Sequence, residues 1–412
     1  MVRAFYNLLL LAALPWVCVR LVWKSRREPG YRQRISERFG AAPYTLPTGC
    51  VWFHTVSAGE ANAAAPMIRA LSERFPMRTF LVTTMTPAGS TRVTALLGDV
   101  ARHCYAPYDY PWAVRRFLRR VRPSALVLLE TELWPNVIRQ TAASGADVFL
   151  VNARLSARSF EGYRRVGSLV RPMLGQLRSV VCQYEDTAAR FRALGATTVE
   201  VTGSVKFDAD LPPDHFGVGD LSFDGAPVWI AGSTHAGEEE IVVEAHGELR
   251  RRYPDLRLIL APRHTARVPT VLGLLRSKGV AASLLSARET DASVLVADVM
   301  GTLPHLYGLA DVAFVGGSLD RTGGHNPIEA AWHGVPVLMG PARFKIEEIW
   351  ARFEAAGCAH EVAGVADIVA EVGALLDDPA RREQEGRSAQ AVIAANRGAR
   401  DALVGKLAEW LG

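Results

Sequence analysis

From residue 50 onward the chain repeats one unit: a short, uninterrupted apolar run followed by a helical stretch. That repetition constrains the fold more than any other feature. The runs CVWFHTV, RTFLVTT, ARHCYAP, ALVLLE, DVFLVNA, SVVCQ and VEVTG read as strands of a first sheet. Residues 209 to 227, ADLPPDHFGVGDLSFDGAP, interrupt the rhythm with Pro, Gly and Asp. It restarts with PVWIAGS, RLILAPR, SVLVAD, VAFVGGS and VPVLMG. Continuous apolar strands alternating with helices belong to parallel sheets covered on both faces. At 412 residues the chain exceeds one ordinary core. The pattern predicts an α/β protein with two doubly wound, Rossmann-like domains, residues 25–210 and 228–412, joined by a linker over 211–227. Two such domains are expected to face a cleft between strand C-terminal ends, where ligands of these folds bind.

Ahead of this lies FYNLLLLAALPWVCVRLVW, Phe5 to Trp23. It is close to the roughly 20 apolar residues that span a bilayer. Residues 1–24 are therefore expected to form a membrane-anchor helix, either crossing the bilayer or lying on it as an amphipathic helix. No small-residue cleavage site follows, which argues against a signal peptide. Lys24, Arg26, Arg27, Arg32, Arg34 and Arg38 follow the run, against Arg3 before it. The positive-inside rule then keeps the body in the cytoplasm. Five dispersed cysteines with no CxxC pair argue against a zinc site or a disulfide framework. The basic runs at 115–122 and 152–171 lack interleaved aromatics, so membrane head groups or a phosphorylated acceptor suit them better than nucleic acid.

HTVSAGE, residues 54–60, ends the first strand and launches a helix. Ser57 and Glu60 have capping-box spacing, so Glu60 is either a cap or a carboxylate placed for chemistry. A helix dipole would favour its ionised form and weaken it as a base, with desolvation on acceptor binding restoring basicity. The second half echoes this stretch in VWIAGSTHAGEEE, where Glu238 takes the matching place, so spacing alone decides nothing. In LVLLETELWPN, Glu130 and Glu132 would share a face if the strand continued. Lys206, in GSVKFD, follows the last strand of the first sheet, where a cation would balance developing negative charge. Asp208-Ala209-Asp210 has the DxD form of a metal site but lies in an Asp- and Pro-rich stretch that reads as a solvated loop. No histidine cluster has metal-ligand spacing, so no metal and no cofactor is expected.

The densest signal is VGGSLDRTGGHNPIEAAWHGVPVLMGP, residues 315–341. A strand ends in Gly316-Gly317, a loop carries Gly323-Gly324, and a helix opens with Asn326 as N-cap, Pro327 at N1 and Glu329 at N3. Backbone N–H groups beside these glycines would bind a phosphate, and Glu329 would take ribose hydroxyls. Arg263, after Pro262, and the loop Met300-Gly301-Thr302 end strands of the same sheet. A nucleotide site in the second domain opposite carboxylates in the first predicts a glycosyltransferase.

Together HTVSAGE, ETELWPN, VNARLS, GSVKFD, AGSTHAGEEE, APRH, GGHNPIE and GVPVLMGP, in that order, resemble the family of 3-deoxy-D-manno-octulosonic acid (Kdo) transferases. The resemblance runs from the anchor to the C-terminal helix. It implies a GT-B, inverting, metal-independent enzyme of lipopolysaccharide biosynthesis in Gram-negative bacteria. Such an enzyme moves Kdo from CMP-Kdo to the 6′-hydroxyl of a lipid A precursor, lipid IVA, at the cytoplasmic face. It also implies Glu60 as general base and Glu130 with Lys206 as transition-state stabilisers. Pro262, Arg263, Met300, Gly301, Thr302, Asn326, Pro327, Ile328 and Glu329 correspond to its CMP-binding segments. Ala58 stands where the family often has Val, and Thr302 lies in a variable loop. Two other classes fit parts of the pattern. One is another nucleotide-sugar enzyme of this fold, such as a UDP-sugar epimerase or lipid A disaccharide synthase. The other is a membrane-anchored module that binds nucleotide without turnover.

Overall fold

The computed structural model describes residues 2–412; Met1 of the expected anchor lies outside them. The chain divides into two compact units, residues 1–209 with 397–412, and residues 210–396.

The first unit is built on seven parallel strands: β1 (Cys50–His54), β2 (Phe80–Thr84), β3 (Ala101–Tyr105), β4 (Pro123–Leu129), β5 (Asp147–Ala153), β6 (Ser179–Cys182) and β7 (Val199–Val201). Their order is β3-β2-β1-β4-β5-β6-β7. Successive residues of β1 feed opposite faces, Trp52 entering one apolar core and Val51 and Phe53 the other. Both cores are apolar and buried, which is why the strands read as unbroken apolar runs. Cys50, Cys104 and Cys182 lie within the first core as small apolar residues.

The second unit has β8 (Val228–Thr234), β9 (Arg257–Pro262), β10 (Ala282–Leu284), β11 (Val294–Val296), β12 (Val312–Val315), β13 (Val337–Met339) and β14 (Ala359–Glu361). Their order is β10-β11-β9-β8-β12-β13-β14, again all parallel. β10 and β14, the edge strands, are not legible in the sequence: ASL and AHE lack the unbroken apolar run that marks the equally short β11 and β13. In each sheet the chain leaves its first strand one way and later returns on the other side. The points where direction switches lie between β1 and β4, and between β8 and β12. Loops that leave strand C-terminal ends there form the natural ligand site of such folds.

The second domain was expected to run to residue 412, but the last helix, Ala399–Leu411, packs on the first unit. Leu403, Leu407 and Leu411 complete its second core, and Trp410 stacks on Phe149 with ring centroids 4.5 Å apart. Periodicity reveals an apolar face without saying which surface it covers. The same helix explains the DxD. Asp208 is buried and accepts hydrogen bonds from the backbone N–H groups of Gly398 and Arg400 (2.6 and 2.7 Å). Asp208 is therefore a cap for the returning helix rather than a residue of a solvated loop. The boundary between the units falls at Ala209 and Asp210, so the stretch expected as a linker belongs to the second unit.

Candidate active-site residues in the two units

In the first unit, β1 ends at His54 and the helix Ala58–Arg74 begins after Ser57, which is extended and caps it. Ser57 Oγ accepts the Glu60 N–H (3.3 Å) and donates to Glu60 Oε1 (3.0 Å). Glu60 Oε2 accepts the Val56 N–H (2.8 Å), one residue earlier than a standard capping box reaches. This clamp holds the carboxylate over the β1 end, beside the switch point. Desolvation pushes its pKa up to about 8; Glu132 and Glu130 push the same way, while the Val56 and Ser57 hydrogen bonds oppose them. Burial thus outweighs the N-terminal location expected to keep Glu60 acidic, and the carboxyl is already basic without substrate.

β4 stops at Leu129 because Glu130 takes a left-handed backbone, φ +55°. Its N–H reaches the Val151 carbonyl (3.1 Å) and the chain turns, Glu132 N–H pointing back to Leu129 O. Glu130 and Glu132 therefore do not share a strand face, yet both act electrostatically on Glu60. Glu132, to which the family pattern assigned no role, accepts the Trp134 indole N–H (2.8 Å), and burial raises its pKa. Three carboxylates thus meet at one switch point.

Lys206 lies in the turn after β7, half-exposed between buried Val205 and Phe207. That turn is tied to β5 by Asn152, a residue not singled out from the sequence. Asn152 is buried at φ +49° and its Oδ1 accepts the Val205 N–H (3.4 Å). Asparagine is among the few residues that tolerate this backbone region. Asn152 Nδ2, Thr202 Oγ1 and Ser204 Oγ are buried without a protein partner, so polar capacity gathers at this edge of the sheet.

In the second unit a cavity of about 390 Å³ opens at the ends of β8, β9 and β11. Pro262, Arg263, Met300, Gly301, Thr302, Asn326 and Glu329 line it, joined by Ser233 and His325. Pro327 and Ile328 do not line it; both are buried, Ile328 completely. The helix starts at Ile328, one residue later than expected, because Asn326 Oδ1 makes a turn to the Ile328 N–H (3.3 Å). Burial raises the Glu329 pKa to about 7, with Arg263 pulling against it. Thr302 is buried, its hydroxyl bound to the Val299 carbonyl (2.8 Å), while Gly301 at φ +87° makes the turn.

His325 stacks on His235 with the two Nε2 atoms 2.8 Å apart, which requires one ring to donate and the other to accept. Desolvation, Arg263 and His235 hold the His325 pKa at about 4, so its ring is neutral at physiological pH. A Cβ on Gly317, at φ +67°, would fall 2.7 Å from that ring.

The glycines after β12 were expected to offer their N–H groups to a phosphate. Instead Glu238, 1% exposed, accepts from Gly317, Ser318, Leu319 and His235 at 2.7 to 3.0 Å. An internal carboxylate fills that nest and pins the loop after β12 to the end of β8. Glu238 and Glu60 occupy corresponding places, but the first is saturated by backbone donors and the second sits among carboxylates. Among the described residues no group of three His, Cys, Asp or Glu side chains has a metal-holding arrangement.

Residues 33–209 match the family described as 3-Deoxy-D-manno-octulosonic-acid transferase (kdotransferase). The chain is 36% identical to the 3-deoxy-D-manno-octulosonic acid transferase of Haemophilus influenzae, an alignment covering 99% of each. It is 35% identical to the enzyme of the same name from Bordetella pertussis, covering 100% of each. In three dimensions it matches a UDP-GlcNAc 2-epimerase from Neisseria meningitidis bound to UDP-GlcNAc, with TM-score 0.60 and 15% identity, covering 88% of this chain and 100% of that one. A glycosyltransferase from Rickettsia africae matches with TM-score 0.56 and 9% identity, covering 89% and 98%. An epimerase and a transferase sharing one fold show that the fold does not select the reaction. The architecture is that of the GT-B class, two Rossmann-like units preceded by an apolar helix.

Proposed function

The chain belongs to the 3-deoxy-D-manno-octulosonic acid transferase family, and on that premise we propose that it transfers Kdo from CMP-Kdo to the 6′-hydroxyl of a lipid A precursor, lipid IVA, with inversion. Glu60 takes the proton from the acceptor hydroxyl. The oxygen bonds to the anomeric carbon of Kdo from the face opposite CMP, the bond to the phosphate oxygen breaks, and CMP departs with the electron pair. The observation that carries the assignment is the Glu60 carboxyl, clamped at the β1 end and made basic by burial beside Glu130 and Glu132.

The donor's nucleotide belongs in the cavity of the second unit. Arg263 there faces the phosphate, Glu329 the ribose, and Asn326 supports the short helix between them. Arg263 and Lys206 offset charge on the phosphate and on the sugar carboxylate, so the reaction is proposed to need no divalent ion and no cofactor. The N-terminal helix is long and apolar enough to anchor the chain to a membrane, and the inner membrane's cytoplasmic face is the proposed location. Incubation with CMP-Kdo and lipid IVA in the presence of EDTA, followed by mass spectrometry of the lipid, tests the reading. A product heavier by whole Kdo residues is expected. No transfer from CMP-Kdo, or thermal protection by UDP and not CMP, would overturn it.

A further inference from the structure

The N-terminal helix, Val2–Arg27, meets the first unit through its first turns and against the helix Gly167–Leu174. Tyr6, Leu10, Leu14, Val17 and Leu21 form a stripe at spacings of three and four whose residues are half-buried or buried. At the start of the helix, Tyr6 Oη donates to Asp109 (2.8 Å) and Asn7 Oδ1 accepts from Asn136 Nδ2 (2.8 Å). Near its end, Ser25 is buried and accepts from Arg32 Nε (2.7 Å). At about 1.5 Å per residue, Tyr6 and Ser25 are roughly 29 Å apart along the axis. That distance equals the hydrocarbon thickness of a bilayer, about 30 Å.

The contacts of the first turns with Asp109 and Asn136 are incompatible with a crossing helix. If the segment spanned the bilayer, Asp109 and Asn136, which lie against its first turns, would be carried to the far side. Yet the remaining surface of the helix is mostly apolar, with Phe5, Leu9, Trp16, Val19, Val22 and Trp23 all half or more exposed. A second copy of the chain is a poor cover for it, because the regular three-four seam that pairs helices is spent on the chain's own unit. Lipid fits: the exposed arc is broad, Trp16 and Trp23 suit the interfacial zone, and Arg3, Arg20 and Arg26 are exposed for anionic head groups.

Taking the membrane-anchor reading as its basis, we infer that this helix lies in the plane of one leaflet, its exposed arc in the acyl chains, and does not cross the bilayer. Both ends of the helix and the globular part of the chain then stand on the same side. The full chain carrying Cys18→Ser removes the one exposed cysteine among those described. Into it go, separately, Val2→Cys, Leu9→Cys and Met77→Cys, the last at a 96% exposed surface site of the first unit. Sealed vesicles of either orientation are then treated with a membrane-impermeant maleimide. Residues 2 and 77 should label from the same side, with loss of labelling in the opposite orientation, and residue 9 should label only after detergent. Labelling of residues 2 and 77 from opposite faces overturns the in-plane arrangement. So does residue 9 labelling in intact vesicles as fast as residue 2. A chain recovered in the soluble fraction, absent from vesicles, removes instead the membrane reading on which the inference rests.

Discussion

Glu60→Gln separates a catalytic carboxylate from a structural cap. With a pKa of about 8 in the folded protein, roughly one Glu60 in ten is ionised at pH 7 and one in a hundred at pH 6. If the ionised form is the base, kcat/KM of the native chain rises about tenfold per unit between pH 6 and 7 and flattens above about pH 8. The Gln variant should lose transfer by about 10²–10⁴-fold and with it the pH dependence. Its fold should hold, because a Gln carbonyl still accepts the Val56 N–H that Glu60 Oε2 now takes. CMP binding should be unchanged, since the residues lining the cavity proposed for the nucleotide belong to the second unit. The stability sign is also fixed. The folded pKa lies above the ordinary value, so the folded state keeps a proton that the unfolded state releases. The carboxylate's contribution to stability therefore declines as pH climbs from about 4.5 to about 8. The Gln variant should lack that decline and melt no lower than the native chain at pH 8. Transfer rates measured from pH 6 to 9, with CMP titration and thermal melts on both proteins, check all of this. Substantial transfer by a folded Glu60→Gln chain, or a flat native profile, would refute the reasoning.

Glu238→Ala should leave backbone donors without an acceptor at a fully buried point; at about 1–3 kcal/mol for each such group, the second unit should melt markedly lower. Arg263→Ala should weaken CMP binding about tenfold or more, as loss of a charge-assisted hydrogen bond does, and raise the Glu329 pKa further; calorimetric titration measures both through its pH dependence. Asn152→Gly keeps the positive φ while Asn152→Ala does not, so chemical denaturation should find the Ala variant roughly 1 kcal/mol less stable than the Gly variant. Asp208→Ala should destabilise the chain by about 1–2 kcal/mol through the lost cap, and adding Mg²⁺ or Mn²⁺ should change neither protein's activity.

The doubly wound class was legible because strands buried on both faces must be apolar throughout, and CVWFH or ALVLL has no other soluble explanation. Glu60, Glu130 and the Arg263, Met300–Thr302 and Asn326–Glu329 segments were legible as positions, since each follows a strand and precedes a turn or helix. What lies through space was not. Glu60 and Glu238 carry the same local spelling, and only the company each keeps distinguishes them: carboxylates around one, backbone donors around the other. The left-handed backbone at Asn152 and its reach to Val205 join residues more than fifty positions apart, a contact with no local signature. The return of Ala399–Leu411 to the first unit and the docking of Val2–Arg27 depended likewise on which surface remained uncovered. Sequence by itself determined the elements, their apolar faces and the strand ends where chemistry gathers, because those follow from local periodicity and capping. Tertiary structure alone decided which carboxylate is basic, which is a clamp, and where each apolar helix lies, because desolvation and docking are properties of neighbours distant in the chain.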